Sequence, residues 1–253
     1  MFKKAIVRTP GKSMVMGIST AELGLPDYEL ALRQHASYIE ALKACGLEVT
    51  VLPANEAFPD STFVEDVALL TKECAIITNP GADSRRDEIA SMKEVLKDFY
   101  KNIEEVQEPG RVEAGDIMMV GDHFYIGLSE RTNQSGAAQV IGYLEKYGLS
   151  GSVVTLDEVL HLKTGIAYLE KNNLLACGEF LTKSAFQRFN ILEIDASESY
   201  AANCIWVNGT VLMPKGYPNA RQTIENAGYA IIEVDVSEFK KLDGGLSCLS
   251  LRF

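Results

Sequence analysis

Asp116-Ile117-Met118-Met119-Val120-Gly121-Asp122-His123-Phe124-Tyr125-Ile126-Gly127 holds the hairpin from which a repeated unit can be read. Two short apolar runs, Ile117–Val120 and Phe124–Gly127, flank Gly121-Asp122, the composition of a tight hairpin. Downstream, apolar residues from about Ser135 to Tyr147 recur at helical spacing, and Ser152–Leu156 returns to a strand pattern. The unit therefore reads strand, turn, strand, helix, strand.

The same grammar recurs along the chain. Val67–Leu70 and Ala75–Thr78 form a candidate hairpin, followed by a charged amphipathic helix over Asp87–Phe99 and a strand near Ile103–Val106. Ile166–Leu169 and Leu174–Cys177 pair across Lys171-Asn172-Asn173, with only a weak helix after them. Cys204–Val207 and Val211–Met213 pair across Asn208-Gly209, the strongest short hairpin signal present. A helix near Ala220–Ala227 and a strand at Ile231–Val234 follow. At the N-terminus, Ala5-Ile6-Val7 precedes a loop at residues 13–26, a helix over Tyr28–Cys45 and the strand Leu47–Leu52. Equivalent points such as Asp66, Asp116 and Gly165 lie about fifty residues apart, a period that suggests a propeller or another repeat array. Five units fill the chain if the C-terminal strand closes onto the N-terminal one. The absence of a Ser/Gly linker or composition break predicts one domain over residues 1–253. A mixed α/β sheet with evenly spaced hairpins is the alternative.

Composition narrows the function. Of 253 residues, 47% are hydrophobic, which predicts a folded core rather than disorder. A formal net charge of −11 argues against nucleic acid and is compatible with a cationic small molecule. The five cysteines, Cys45, Cys74, Cys177, Cys204 and Cys248, are scattered, and none forms a C-x-x-C pair. That pattern fits reduced thiols, and with no apolar leader or membrane span the expectation is a cytoplasmic protein. No phosphate loop, dinucleotide fingerprint or nucleophile elbow occurs, so no cofactor is expected, and the lack of EF-hand spacing among the acids and the scarcity of histidines argue against a metal.

The residues before each inner strand hold the chemistry. Phe63-Val64-Glu65-Asp66 and Val112-Glu113-Ala114-Gly115-Asp116 place carboxylates beside apolar runs, where burial is costly unless a cation pairs with them. A guanidinium suits such acids, because its planar fork of donors matches carboxylates bidentately. His161 stands at a unit boundary, whereas His35 falls within a helix and His123 in a hairpin turn. Cys248 follows Gly244-Gly245 in the C-terminal strand, where the glycines make room for a neighbouring element or a ligand. A thiolate beside an imidazole performs nucleophilic catalysis; a buried structural thiol is the other reading. Arg85 and Arg131 each follow the outer strand of a unit, either as solvated surface groups or as clamps for an anionic group.

Five motifs in order carry a resemblance: Phe63-Val64-Glu65-Asp66, Glu113-Ala114-Gly115-Asp116, His161-Leu162-Lys163-Thr164-Gly165, Ala202-Asn203-Cys204-Ile205-Trp206-Val207-Asn208, and Asp243-Gly244-Gly245-Leu246-Ser247-Cys248. The chain resembles dimethylarginine dimethylaminohydrolases, of the guanidino-modifying pentein superfamily that includes arginine deiminases and amidinotransferases. The resemblance implies an α/β fold, a five-bladed αβ propeller of ββαβ modules with pseudo-fivefold symmetry. It implies hydrolysis of Nω-methylated arginine to L-citrulline and methylamine or dimethylamine. Cys248 is then the nucleophile, His161 the acid and base, and Glu113 the group that holds the guanidinium and orients His161. Asp66, with Glu65 near it, receives guanidinium nitrogens; Asp60 and the Ile18 carbonyl receive the α-amino end; Arg85 and Arg131 hold the α-carboxylate. Family members usually carry Leu where Ile18 stands.

The substrate expected is a small cationic guanidino amino acid, and a homodimer is compatible with the resemblance. Where arginine deiminases resemble His-x-Asp, this chain has Lys163, which favours the methylarginine branch. An arginine deiminase, or a hydrolase of another guanidino or ureido amino acid, is the alternative enzyme. A non-catalytic amino-acid-binding protein on the same scaffold is the alternative outside enzymes.

Overall fold

The strand β1 (Lys4–Arg8) leads through a loop to helix α1 (Tyr28–Ala44) and strand β2 (Glu48–Leu52) in the computed structural model, which describes residues 1–157 and 159–253. Next come β3 (Ala68–Leu70), β4 (Ala75–Ile77), α2 (Glu88–Leu96) and β5 (Ile103–Glu105). Then follow β6 (Ile117–Val120), β7 (His123–Leu128), α3 (Gln134–Lys146) and β8 (Ser150–Thr155). The second half holds β9 (Ile166–Tyr168), β10 (Asn173–Ala176), β11 (Asn190–Glu193), β12 (Ile205–Val207), β13 (Thr210–Pro214), α4 (Pro218–Asn226) and β14 (Ala230–Val234). The short helix α5 (Ser237–Lys240) and strand β15 (Leu251–Arg252) end the chain.

Each sheet repeats one wiring. The middle strand pairs antiparallel with the strand before it in the module and parallel with the one after the crossover: β3-β4-β5, β6-β7-β8, β9-β10-β11 and β12-β13-β14. In the remaining sheet, β15 pairs antiparallel with β1 and β1 parallel with β2, so the C-terminal strand completes the N-terminal module as its spacing predicts. The middle strands are almost wholly buried, whereas the last strand of each module alternates or is half-exposed. Parallel strands require a crossover, and the crossover covers one face.

Local chemistry explains the elements. Asp27 caps α1 by accepting a hydrogen bond from the Leu30 N–H at 2.9 Å, and Asn133 caps α3 through Gly136 N–H at 2.8 Å. Pro218 opens α4, where a missing N–H costs nothing. Asn208 and Gly209 both take positive φ, 52° and 100°, the turn that Asn-Gly favours between β12 and β13.

By contacts the chain forms two compact units, residues 1–64 with 165–253, and residues 65–164. In the first, Val7, Tyr38, Leu42, Phe239 and Leu249 belong to one buried cluster, and Leu175, Val211, Met213 and Ile224 to a second. In the other unit, Ile76, Ile117, Phe124, Val140 and Leu144 pack together. Among the described residues, no helix is long and apolar enough to cross a membrane.

Four sequence expectations change. The weak helix of the third module is replaced by two 3₁₀ turns, Gly178–Leu181 and Ser184–Phe186, which sink Phe180 and Phe186 into the interior. The loop at residues 13–26 begins inside a 3₁₀ helix, Lys12–Met16. His123 is the first residue of β7 rather than a turn residue, with its ring nitrogens 2.8 Å from Ser150 Oγ and 2.9 Å from Ser152 Oγ. Cys248 lies on a 3₁₀ turn, Ser247–Leu249, not in the final strand. Its N–H turns back to the Gly245 carbonyl at 3.2 Å, and extended backbone resumes only at Ser250.

Candidate active site

Residues 65–164 bring most of the sequence-derived acids and bases together. Glu113 precedes the 3₁₀ turn Ala114–Asp116, which delivers the chain into β6. Its side chain is buried: Oε1 accepts the Ala82 N–H at 3.0 Å, and Oε2 lies 2.8 Å from His161 Nε2. Arg131 Nη1 reaches to 4.0 Å from Glu113 Oε1. Asp66, on the turn before β3, accepts from Arg85 Nη1 at 2.6 Å through Oδ2 and from Gly115 N–H at 3.2 Å through Oδ1. A Cβ on Gly115 would stand 2.8 Å from Asp66 Oδ1 and 3.2 Å from the His161 ring, so that position requires glycine.

Arg85 is not a solvated loop arginine. It is 5% exposed, on the short turn Asp83–Arg85, and donates to Glu88 through Nε (3.1 Å) and Nη2 (2.9 Å) as well as to Asp66. Burial opposes its charge, but Glu88 and Asp66 outweigh that and drive its pKa well above the usual guanidinium value. Glu65 is buried and paired with Lys163, Nζ to Oε1 at 2.7 Å. The residue that replaces an acid of the deiminase pattern thus ties up one of the candidate guanidinium-binding carboxylates.

The field of these acids acts on His161. Burial disfavours the imidazolium, but the Glu113 hydrogen bond and the charges of Asp116, Asp66 and Glu113 raise its pKa to about 9. Burial likewise disfavours ionised Glu113, yet His161, Arg85 and the Ala82 N–H bring it down to about 2. At neutral pH the pair is an imidazolium and a carboxylate. Asp66, Glu113 and His161 offer ligand atoms that all lie within 4.8 Å of one another. Such a trio grips a cation, but the guanidinium of Arg85 and the proton on His161 already supply positive charge there. Protonated His161 has no lone pair for a metal, whereas the carboxylates Asp66 and Glu113 can accept the N–H groups of a planar guanidinium.

Asp116 corrects one expectation. Its hydrogen bonds come from neutral donors, Ser129 Oγ at 2.6 Å and the Leu162 N–H at 2.9 Å, while the charge of His161 favours its ionised form. Burial raises its pKa.

The first unit contains the other sequence-derived residues. Asp60 is buried, and its Oδ1 accepts the Ile18 N–H at 3.0 Å. Thr20 N and Oγ1 lie 2.5 and 3.1 Å from Asp243 Oδ2, which anchors the segment after Ile18 to the residue before Gly244. Cys248 is half-buried, and the Gly245 N–H points to its Sγ at 3.4 Å. The paired glycines do not simply leave space beside the thiol. A Cβ on Gly244 would stand 2.2 Å from the Phe63 ring, and one on Gly245 2.3 Å from the Asn203 carboxamide carbon. The room they create is filled by protein.

Sequence reasoning missed Glu88 and Thr132, whose Oγ1 accepts the Glu113 N–H at 3.2 Å. Glu88 had a legible signal, its i,i+3 spacing from Arg85 at a helix start. Thr132 had none, because its contact depends on long-range pairing.

The family model for N,N-dimethylarginine dimethylhydrolase, eukaryotic, matches residues 26–250. N(G),N(G)-dimethylarginine dimethylaminohydrolase of Pseudomonas aeruginosa is 61% identical over 254 residues, covering 100% of both chains. The enzyme of that name from Streptomyces coelicolor is 34% identical, over 99% of this chain and 96% of its own. Among solved structures, a cysteine-to-serine mutant of the Pseudomonas aeruginosa protein complexed with citrulline superposes with a TM-score of 0.99 at 61% identity, covering 100% of both chains. That likeness bears out the α/β class of five modules read from the hairpin spacing. The chain belongs to the dimethylarginine dimethylaminohydrolase family.

Proposed function

We propose that this chain, acting as one enzyme domain over residues 1–253, hydrolyses Nω-methylated arginine to L-citrulline and methylamine or dimethylamine. The observation that carries the reading is the buried Glu113–His161 pair: the imidazole is held protonated near neutral pH among carboxylates fitted to a guanidinium. Full-length identity to enzymes named for this reaction supports it, as does the citrulline bound by the relative.

The substrate guanidinium engages Asp66 and Glu113, with Glu65 near Asp66 and paired with Lys163, and the α-carboxylate engages Arg85 and Arg131. The α-amino group is received by Asp60 and the Ile18 carbonyl. Cys248, as thiolate, attacks the guanidinium carbon and forms a C–S bond. His161 passes its proton to the methylated nitrogen, the C–N bond breaks, and the amine leaves a thiouronium on Cys248. His161, now neutral, takes a proton from water as its oxygen adds to the same carbon. The C–S bond then breaks, giving the ureido product and the free thiol.

Lys163, by pairing with Glu65, leaves less free negative charge for an unsubstituted nitrogen and so supports the methylated substrate. Discrimination by a methyl group is worth only ~1–3 kcal/mol, so arginine is expected to be a poor substrate rather than an invisible one.

The test is citrulline and amine release from Nω,Nω-dimethylarginine, Nω-monomethylarginine and arginine, with Cys248→Ser alongside. Turnover of the methylated substrates that disappears in C248S supports the reading. Ammonia from arginine without turnover of the methylated substrates overturns it in favour of a deiminase. Binding without product overturns it in favour of an amino-acid-binding protein.

A further inference from the structure

The motif around Asn203 has no role in the chemistry above, yet its side chain grips the loop that carries the thiol. Asn203 closes the 3₁₀ segment Ala196–Ala202 and precedes β12. It is 8% exposed, and its Oδ1 accepts the Ser247 N–H at 2.9 Å. Its carboxamide also packs on the Gly245 backbone, where a Cβ would stand 2.3, 2.5 and 2.7 Å from its Cγ, Oδ1 and Nδ2. The same 3₁₀ segment contributes Tyr200, whose hydroxyl donates to the Gly244 carbonyl at 2.7 Å. From α1, Tyr38 donates to the Leu246 carbonyl at 3.0 Å.

The loop is therefore held at Gly244, Leu246 and Ser247, by side chains distant in sequence. What this holding achieves is visible in its backbone. Gly245 accepts the Cys248 N–H at 3.2 Å and directs its own N–H to the Cys248 sulfur at 3.4 Å. An N–H aimed at sulfur stabilises the thiolate over the thiol and restricts the direction the sulfur faces.

We infer that Asn203 is a positioning residue for the nucleophile: its grip on Ser247 and Gly245 keeps the Gly245 N–H on the Cys248 sulfur. This rests on the reading of Cys248 as nucleophile. Asn203 touches neither the substrate nor the reacting atoms in this account, so its removal acts on turnover rather than on substrate binding. A misplacement of about 1 Å at a reacting group costs on the order of 100-fold.

The experiment compares wild type, Asn203→Ala, Asn203→Asp and Cys248→Ser by steady-state kinetics on Nω,Nω-dimethylarginine. Iodoacetamide labelling at one pH is followed in parallel, with Cys248 read by peptide mass spectrometry. For N203A the expectation is a kcat loss of roughly 10- to 100-fold, a KM within about twofold, and Cys248 labelling slowed by a similar factor. N203D keeps an oxygen acceptor for Ser247 N–H and is expected to regain about tenfold of that kcat. Should N203A fail to fold, Asn203→Ser, too short to reach Ser247, gives the same readouts. An inactive C248S beside an N203A (or N203S) enzyme of wild-type kcat overturns the inference, as does N203D as impaired as N203A. An active C248S overturns the nucleophile reading itself, whatever Asn203 does.

Discussion

His161 Nε2 lies 2.8 Å from Glu113 Oε2, and this contact turns two buried ionisable groups into one charge pair. Burial alone would neutralise both; together they settle at about 9 for His161 and about 2 for Glu113. The folded value of His161 lies above its ordinary 6.5, so its stabilising contribution is complete below 6.5 and lost as pH rises through about 9. The folded value of Glu113 lies below its ordinary 4.5, so that contribution is present above 4.5 and lost as pH falls towards 2. The pair stabilises most between those limits. Proton NMR of the three histidines should show His161 titrating near 9, and Glu113→Gln should move it to lower pH. A midpoint unmoved in E113Q would mean that the neighbouring acids act on His161 without Glu113.

Arg85 bridges Asp66 and Glu88 with almost no exposure. Arg85→Met leaves two buried carboxylates without that guanidinium, and removing one partner of a buried ion pair costs about 3–5 kcal/mol. Urea unfolding should register a loss of that size. Adding Asp66→Asn and Glu88→Gln should recover part of the stability without restoring activity. A loss below ~1 kcal/mol in R85M would show that solvent relaxes into the site.

Gly244 is glycine because the Phe63 ring occupies the position of its Cβ, 2.2 Å away. Gly244→Ala overpacks a buried contact, and such insertions typically cost ~1–3 kcal/mol. Phe63→Leu should offset part of that cost when combined with G244A, because the two positions touch. Thermal melts of the four proteins in the cycle test this; strictly additive effects would contradict the contact.

His35 is 3% exposed, beside Phe239 at a ring-centroid distance of 6.5 Å, and burial lowers its pKa to about 4. The unfolded chain therefore binds a proton between 6.5 and about 4 that the folded chain refuses, and stability falls as pH drops through that window. The shift corresponds to about 3 kcal/mol across it. His35→Phe should flatten this limb of the stability–pH curve while leaving kcat near neutral pH unchanged. An acid limb of the same steepness in H35F would assign it to other groups.

Much of the architecture was legible from local chemistry. Asn208-Gly209, Gly121-Asp122 and the caps at Asp27 and Asn133 act within a few residues, so the hairpins and helix starts they mark need no distant partner. The third module was less legible, because Phe180 and Phe186 pack through tertiary contacts onto 3₁₀ turns with little helical periodicity. Glu65, Asp66, Glu113 and His161 stood out by type and position, but their pairings did not. Nothing near Lys163 in sequence indicates Glu65, and nothing near Ser247 indicates Asn203.

The repeated module, the set of acids and bases and the thiol are all readable from the chain alone, because turn conformers and side-chain chemistry belong to residues and their immediate neighbours. Long-range folding settles which acid holds His161, that Arg85 bridges Asp66 and Glu88, and that Gly244 and Gly245 yield space to Phe63 and Asn203. Apart from the i,i+3 pairing of Arg85 with Glu88, those outcomes depend on burial and on contacts between residues from about twenty to almost two hundred positions apart. In a low-dielectric interior, such contacts set both the charge a group carries and the direction it faces.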